Sequence, residues 1–222
     1  MTTAPRRFPQ KPYAVPPGST VLLLVRHGQS EAVVEGEAFP AVDGHGDPAL
    51  TDDGVAQAES VCRRLAAASV DAIYVSTLRR TAQSAAPLAT ATGLVPVVEP
   101  DLREVFLGEW EGGVLRQKIA DNDPVFEQIF ADQRWDVIPG AEPAPAFSTR
   151  VAAAVGRIAA AHRDRTVAVF THGGVIGEIL AQTTRSEPLA FAGSDNASLS
   201  EVVVTDRRWV LRRYNDTAHL AP

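Results

Sequence analysis

Cysteine is nearly missing from this chain: Cys62 is the only one in 222 residues. An internal disulfide and a cysteine-built zinc cluster are therefore excluded, and the chain suits a reducing compartment, which points to the cytoplasm. Long apolar runs are absent too, with none approaching the roughly 20 residues that span a bilayer. The opening stretch MTTAPRRFPQKPYAVPPGST holds five prolines and no apolar block of the signal-peptide kind. The expectation is a soluble protein with a flexible tail over residues 1–18. Positive charge is in deficit, 21 Lys and Arg against 27 Asp and Glu, for a net charge of -6. Nucleic acid and anionic membrane are not expected as partners, because the summed field repels polyanions. Any anion site must be local.

What remains is an ordinary globular composition, 45% hydrophobic and 22% charged with 16 Gly and 16 Pro. Residues 19–222 are enough for one domain with a full core. TVLLLV, from Thr20 to Val25, is apolar throughout and reads as a strand covered on both faces. LTDDGVAQAESVCRRLAAA opens on a capping Thr51 and sets Val55, Ala58, Val61, Cys62 and Leu65 on one helical stripe. VDAIYVS reads as a strand, LRRTAQSAAPLATATG as a helix stopped by Gly93, and LVPVV as a third strand.

The region from Val114 to Ala146, broken by Pro124, Pro139, Pro143 and Pro145, reads as short helices and loops. FSTRVAAAVGRIAAAH then gives a helix, TVAVF a strand, GGVIGEILAQ a helix, and the stretch around Asp206 a closing hairpin at a sheet edge. Alternating strands and helices predict an α/β fold with a mostly parallel sheet.

In such sheets ligands sit beyond the carboxyl ends of strands, against the next helix start. LLLVRHG and VAVFTHGG each put a histidine and a glycine there, at His27 and His172. Either histidine alone would serve equally to hydrogen-bond a loop carbonyl; the pair on two strands is harder to explain by packing. AIYVSTLRRTAQSA adds Arg79 and Arg80 at a helix start, where cations oppose the helix dipole unless an anion binds beside them. DLREVFLGEWEGG offers Glu104 as a candidate proton donor, while Glu109 and Glu111 read as solvated loop acids. Phe126, Phe130 and Trp135 could line a pocket for a leaving group, but their helical spacing equally suits packing. Five histidines, widely spaced, form no metal-binding motif.

With Arg26-His27-Gly28, Ser76-Thr77-Leu78-Arg79-Arg80-Thr81, Glu104 and Thr171-His172-Gly173-Gly174 in that order, the chain resembles the histidine phosphatase superfamily, in its phosphoglycerate mutase-like branch. The resemblance runs from about Val21 to about Tyr214 and takes in DPALTDDG and DNAS. It implies a three-layer α/β/α sandwich around a mixed sheet. It also implies His27 as the phosphoryl-accepting nucleophile, Arg26 and Arg80 as phosphate clamps, His172 as a further phosphate contact, and Glu104 as acid then base. Of the two arginines, the family pattern selects Arg80. Gln29, Ser30 and Gly173 complete the expected substrate contacts, with no metal and no cofactor. Flanking cations should keep the His27 imidazole unprotonated and nucleophilic.

The chain departs from the family pattern at Thr77, where proline is common, and at Val33, where asparagine is common. The Arg-His-Tyr-Gly run of the mutases is absent, and Arg116, Lys118 and Arg134 are scattered cations. The expected activity is metal-independent hydrolysis of a small phosphorylated metabolite through phosphohistidine. A cofactor-dependent phosphoglycerate mutase is the alternative, and a non-catalytic phospho-ligand module is the third reading. Homodimers are common in the family, so a homodimer is a possible state.

Overall fold

The computed structural model describes residues 6–221. Of the tail expected over residues 1–18, residues 1–5 lie outside the described residues, and residues 6–18 carry neither helix nor strand. The elements then follow in chain order. β1 is Thr20–Arg26, followed by the two-residue strands β2 (Ala41–Val42) and β3 (His45–Gly46). Next come α1 (Asp52–Leu65), β4 (Ala72–Val75), α2 (Arg79–Thr92) and β5 (Val97–Val98). α3 (Val114–Ala120) and α4 (Pro124–Asp132) interrupt the alternation. It resumes with α5 (Ala144–Ala161), β6 (Thr166–Thr171), α6 (Gly173–Thr184), β7 (Leu199–Val204) and β8 (Trp209–Asp216).

The main sheet has the order β5-β4-β6-β1-β7-β8. β5, β4, β6 and β1 run parallel, and β7 and β8 close the far side antiparallel, as the expected hairpin edge. Side chains alternate between two layers. Leu22, Leu24, Val167 and Val169 face Val151, Val155 and Ile158 of α5 and Val175, Ile176 and Ile179 of α6. Leu23, Val25, Ala168 and Phe170 face Val61 and Leu65 of α1 and Ala85 and Leu88 of α2. This is the expected α/β/α sandwich with a mixed, mostly parallel sheet. Each such buried side chain contributes roughly 1.5–3 kcal/mol. A one-residue slip of β6 would push Phe170 into the layer that now holds Val169, so packing holds the register.

Three local expectations need correction. Val55 is 45% exposed, because the buried stripe of α1 runs through Gly54, Ala58, Val61 and Leu65 instead. Gly54 packs against the loop after β1: a Cβ on Gly54 would lie 2.0 Å from the Gln29 carbonyl oxygen, and one on Gly28 would lie 2.5 Å from that of Gly54. β5 begins only after Pro96, which has no N–H to give a ladder. α5 starts at Ala144 rather than Phe147, because Pro145 is acceptable in a first helical turn.

Candidate active site

The β1–β6 register pairs Arg26 with Thr171, so the two histidines that follow leave the sheet side by side. Their ring centroids are 5.2 Å apart. The His27 amide donates to the Thr171 carbonyl at 3.0 Å, extending the ladder by one step. The DNAS segment locks the same turn: the Ala197 amide donates to the Arg26 carbonyl, and Asn196 Nδ2 donates to that of His27 at 3.1 Å.

His27 Nδ1 lies 2.8 Å from the Gly28 carbonyl, which can only accept, so Nδ1 carries the proton. Nε2 then keeps its lone pair. Burial, then the charges of Arg80 and Arg26, push the His27 pKa well below 6.5. His172 is fully buried, and its pKa is likewise pushed well down by burial first and then by Arg80. Its Nε2 lies 2.8 Å from Ser76 Oγ, at the carboxyl end of β4. Both rings are therefore neutral at neutral pH.

Arg80, on the first turn of α2, is buried; its guanidinium donates to the Gly46 carbonyl at 2.9 Å and lies 3.8 Å from Asp47 Oδ1. That same oxygen accepts from the Arg79 backbone N–H at 2.9 Å and so caps α2 from a distant loop. Arg79 points outward and pairs with Asp47 at 3.7 Å. Arg26 donates to the Ser194 carbonyl. Burial pulls the pKa of both Arg26 and Arg80 below the usual guanidinium value, with Glu104 opposing in each case.

Glu104 accepts the Val105 amide at Oε1 (2.9 Å) and the Gly174 amide, in the first turn of α6, at Oε2 (3.1 Å). Its main chain is held by Arg150, which reaches the carbonyls of Asp101, Arg103 and Glu104 while pairing with Glu142 at 2.7 Å.

Arg26, His27, Arg80 and Glu104 line one cavity of about 160 Å³. Arg26 Nε, His45 Nε2 and His172 Nδ1 are buried polar atoms with no partner among the described residues. A bound anion would answer the unpartnered arginine N–H. Among the described residues no group of three His, Cys, Asp or Glu side chains converges as a metal ion would require.

Two expected contacts lie elsewhere. Gln29 accepts from Thr51 at 2.8 Å and lines a neighbouring groove, and Ser30 reaches the cavity only by accepting from Arg116 at 2.8 Å. Val33 also faces that groove, packed where a Cβ on Gly113 would lie 1.9 Å from it. Gly173 sits beside Arg26, its ideal Cβ position 3.5 Å from Nε.

Sequence reasoning missed His45, Asp47, Arg116 and Arg150. Only Asp47, in DPALTDDG, stood in a quoted motif. Glu111, read as solvated, accepts the amides of Gly46 and Leu107 at 2.9 Å each and lines the cavity. A second cavity, of about 260 Å³, shares Arg26, Glu104, Leu107 and Leu115 with the first, and Phe126, Phe130 and Trp135 line it.

The chain matches the sequence profile of the histidine phosphatase superfamily (branch 1) over residues 22–217. It is 29% identical to a metal-independent phosphoserine phosphatase of Arabidopsis thaliana, over 91% of this chain and 84% of that one. It is also 29% identical to an adenosylcobalamin/alpha-ribazole phosphatase of Escherichia coli, over 72% and 77%. The solved structure of a mycobacterial glucosyl-3-phosphoglycerate phosphatase superposes with a TM-score of 0.75 at 27% identity, covering 90% of this chain and 100% of the other.

Proposed function

The chain belongs to the histidine phosphatase superfamily and is a phosphomonoesterase, and we propose that His27, Arg26, Arg80, His172 and Glu104 carry its chemistry on a small phosphorylated metabolite. His27 Nε2 attacks phosphorus in line. The bond to the leaving oxygen breaks, and that oxygen takes the proton of the Glu104 carboxyl group. The Glu104 carboxylate then accepts a proton from water as the water oxygen attacks the phosphohistidine, which returns neutral His27 and inorganic phosphate. No step calls for a metal.

Arg26 and Arg80 hold the phosphoryl oxygens by charge-assisted bonds that strengthen as charge builds at the transferring group. One such pair at about 4 Å and an effective dielectric of about 20 gains about 4 kcal/mol before desolvation is subtracted. Because Arg80 is buried and Arg26 half-buried, part of their water is already gone and less reorganisation remains when substrate arrives. Arg116 stands at the mouth, where its guanidinium donates to the Glu31 carbonyl at 2.6 Å, and it adds a third cation.

The observation that carries this reading is the 2.8 Å contact between His27 Nδ1 and the Gly28 carbonyl, which leaves Nε2 free in a cavity shared with buried Arg80 and half-buried Arg26. A cytoplasmic setting fits the single Cys62. No helix among the described residues is long and apolar enough to cross a membrane.

The test is phosphate release from 4-nitrophenyl phosphate with excess chelator present, alongside trapping of base-stable, acid-labile label on the protein. Both signals are expected in the native chain and neither in His27→Ala. Turnover that survives the substitution would refute the assignment.

A further inference from the structure

The assignment of His27 and Glu104 made above has a consequence for the alcohol that leaves. In an in-line displacement the nucleophile and the leaving oxygen lie on opposite sides of phosphorus. An acid that protonates the leaving oxygen stands on the exit side. The cavity of about 260 Å³ is lined by Arg26 and Glu104 but by neither histidine, and by Phe126, Phe130 and Trp135. Among the described residues its lining holds no Lys, His, Ser, Thr, Asn or Gln, and Arg26 is its one cation. α6 also presents to it Glu178, whose Oε1 accepts from Gln182 at 2.7 Å.

The geometry points to a substrate whose leaving alcohol carries an apolar, ring-sized group and no carboxylate: Phe126, Phe130 and Trp135 select the ring, and Glu178 turns away anionic groups. An apolar cavity of about 150 Å³ holds benzene, so this one has room for a substituted or fused ring. Phe126 and Phe130 meet edge to face with centroids 5.3 Å apart, yet Phe130 remains 39% exposed. A ring laid on that open face would complete the wall. The leaving alcohols of phosphoserine and phosphoglycerate carry a carboxylate, which here would meet apolar rings and the like charge of Glu178, while Arg26, the cation of this lining, is engaged by the phosphoryl group. At an effective dielectric of about 20, a carboxylate brought into the same cavity as Glu178 is disfavoured on the order of tenfold once solvent exposure is discounted.

Two paired probes test the inference. Turnover is compared for benzyl phosphate and its 4-carboxy analogue, with phosphoserine and 3-phosphoglycerate beside them. Binding is compared by calorimetry for benzylphosphonate and 4-carboxybenzylphosphonate, which cannot be hydrolysed. The member of each pair that lacks the carboxylate is expected to win by about tenfold or more, and Glu178→Gln should bring the ratio toward one. Phe130→Ala should weaken benzylphosphonate while leaving inorganic phosphate binding intact, which a purely packing role would not do. Equal or better handling of the carboxylated member, or a ratio unmoved in Glu178→Gln, would overturn the inference. Absence of turnover and of His27 labelling would instead defeat the phosphatase chemistry, and the phosphonate pair would still judge the cavity.

Discussion

The two cavities that meet at Glu104 are made in opposite ways. The phosphate end is polar and sits where regular elements change over: β1 into His27, β4 into Ser76, and β6 into His172 and α6. Its side chains are oriented by main-chain groups, as the Gly28 carbonyl orients His27 and the Gly174 amide orients Glu104. The other end is apolar and rests on α3, α4 and a small satellite core around Trp110, Ile129 and Ile138. Chemistry that needs angles and charges is built on the sheet, where a displaced ångström costs rate. Fit to a leaving group leans on shape, which a short helical insertion can supply, and on the one acid that α6 adds.

Removing a clamp should separate the two ends most clearly. Arg80→Ala is expected to lower kcat/KM by roughly 10²–10³, by a similar factor for apolar and carboxylated substrates alike. Arg79→Ala, on an outward side chain, should cost less than about tenfold. Steady-state kinetics on both substrate types checks this, and an Arg80 effect that depended strongly on the leaving group would break the division.

Gly174→Ala addresses the seam. Its Cβ would come within 2.4 Å of Glu104 Oε1 and force the carboxyl group aside. A fall in kcat of about 10–100-fold is expected, with inhibition by inorganic phosphate unchanged. A kcat that holds would show that Glu104 need not occupy its present place.

The smallest effect is in stability against pH, and it belongs to the phosphate end because His27 and His172 are buried there. Well above 6.5 neither the folded nor the unfolded chain protonates them. Below 6.5 the unfolded chain binds protons that the folded one refuses, so stability rises with pH across that window and falls as pH drops toward the folded values. The slope approaches about 1.4 kcal/mol per pH unit for each histidine. Denaturant titrations between pH 5 and pH 7 on the native chain and on His172→Gln would reveal it. An equal slope in the two would assign the pH dependence to other groups.

Gly28 shows why part of the site was legible in the chain. The backbone passes too close to Gly54 for a side chain, so a glycine must follow His27, and that necessity is visible as a short motif at a strand end. Arg150 shows why another part was not. It grips the Glu104 carbonyl from 46 residues away, and nothing local in FSTRVAAAV marks it as different from any other helical arginine. Glu111 was misread for the same reason, since its amide partners belong to a different loop and to a turn four residues back.

The order of strands and helices, the two histidine junctions, the arginine at a helix start and the deficit of positive charge are all written along the chain, because each follows from local periodicity or composition. Only tertiary structure decided that Arg26 and Thr171 share a register, that Arg150 reaches the Glu104 carbonyl, and that Phe126, Phe130 and Trp135 face a cavity. Those outcomes depend on which distant surfaces pack together, and helical spacing is the same whether a ring meets its own core or an open space.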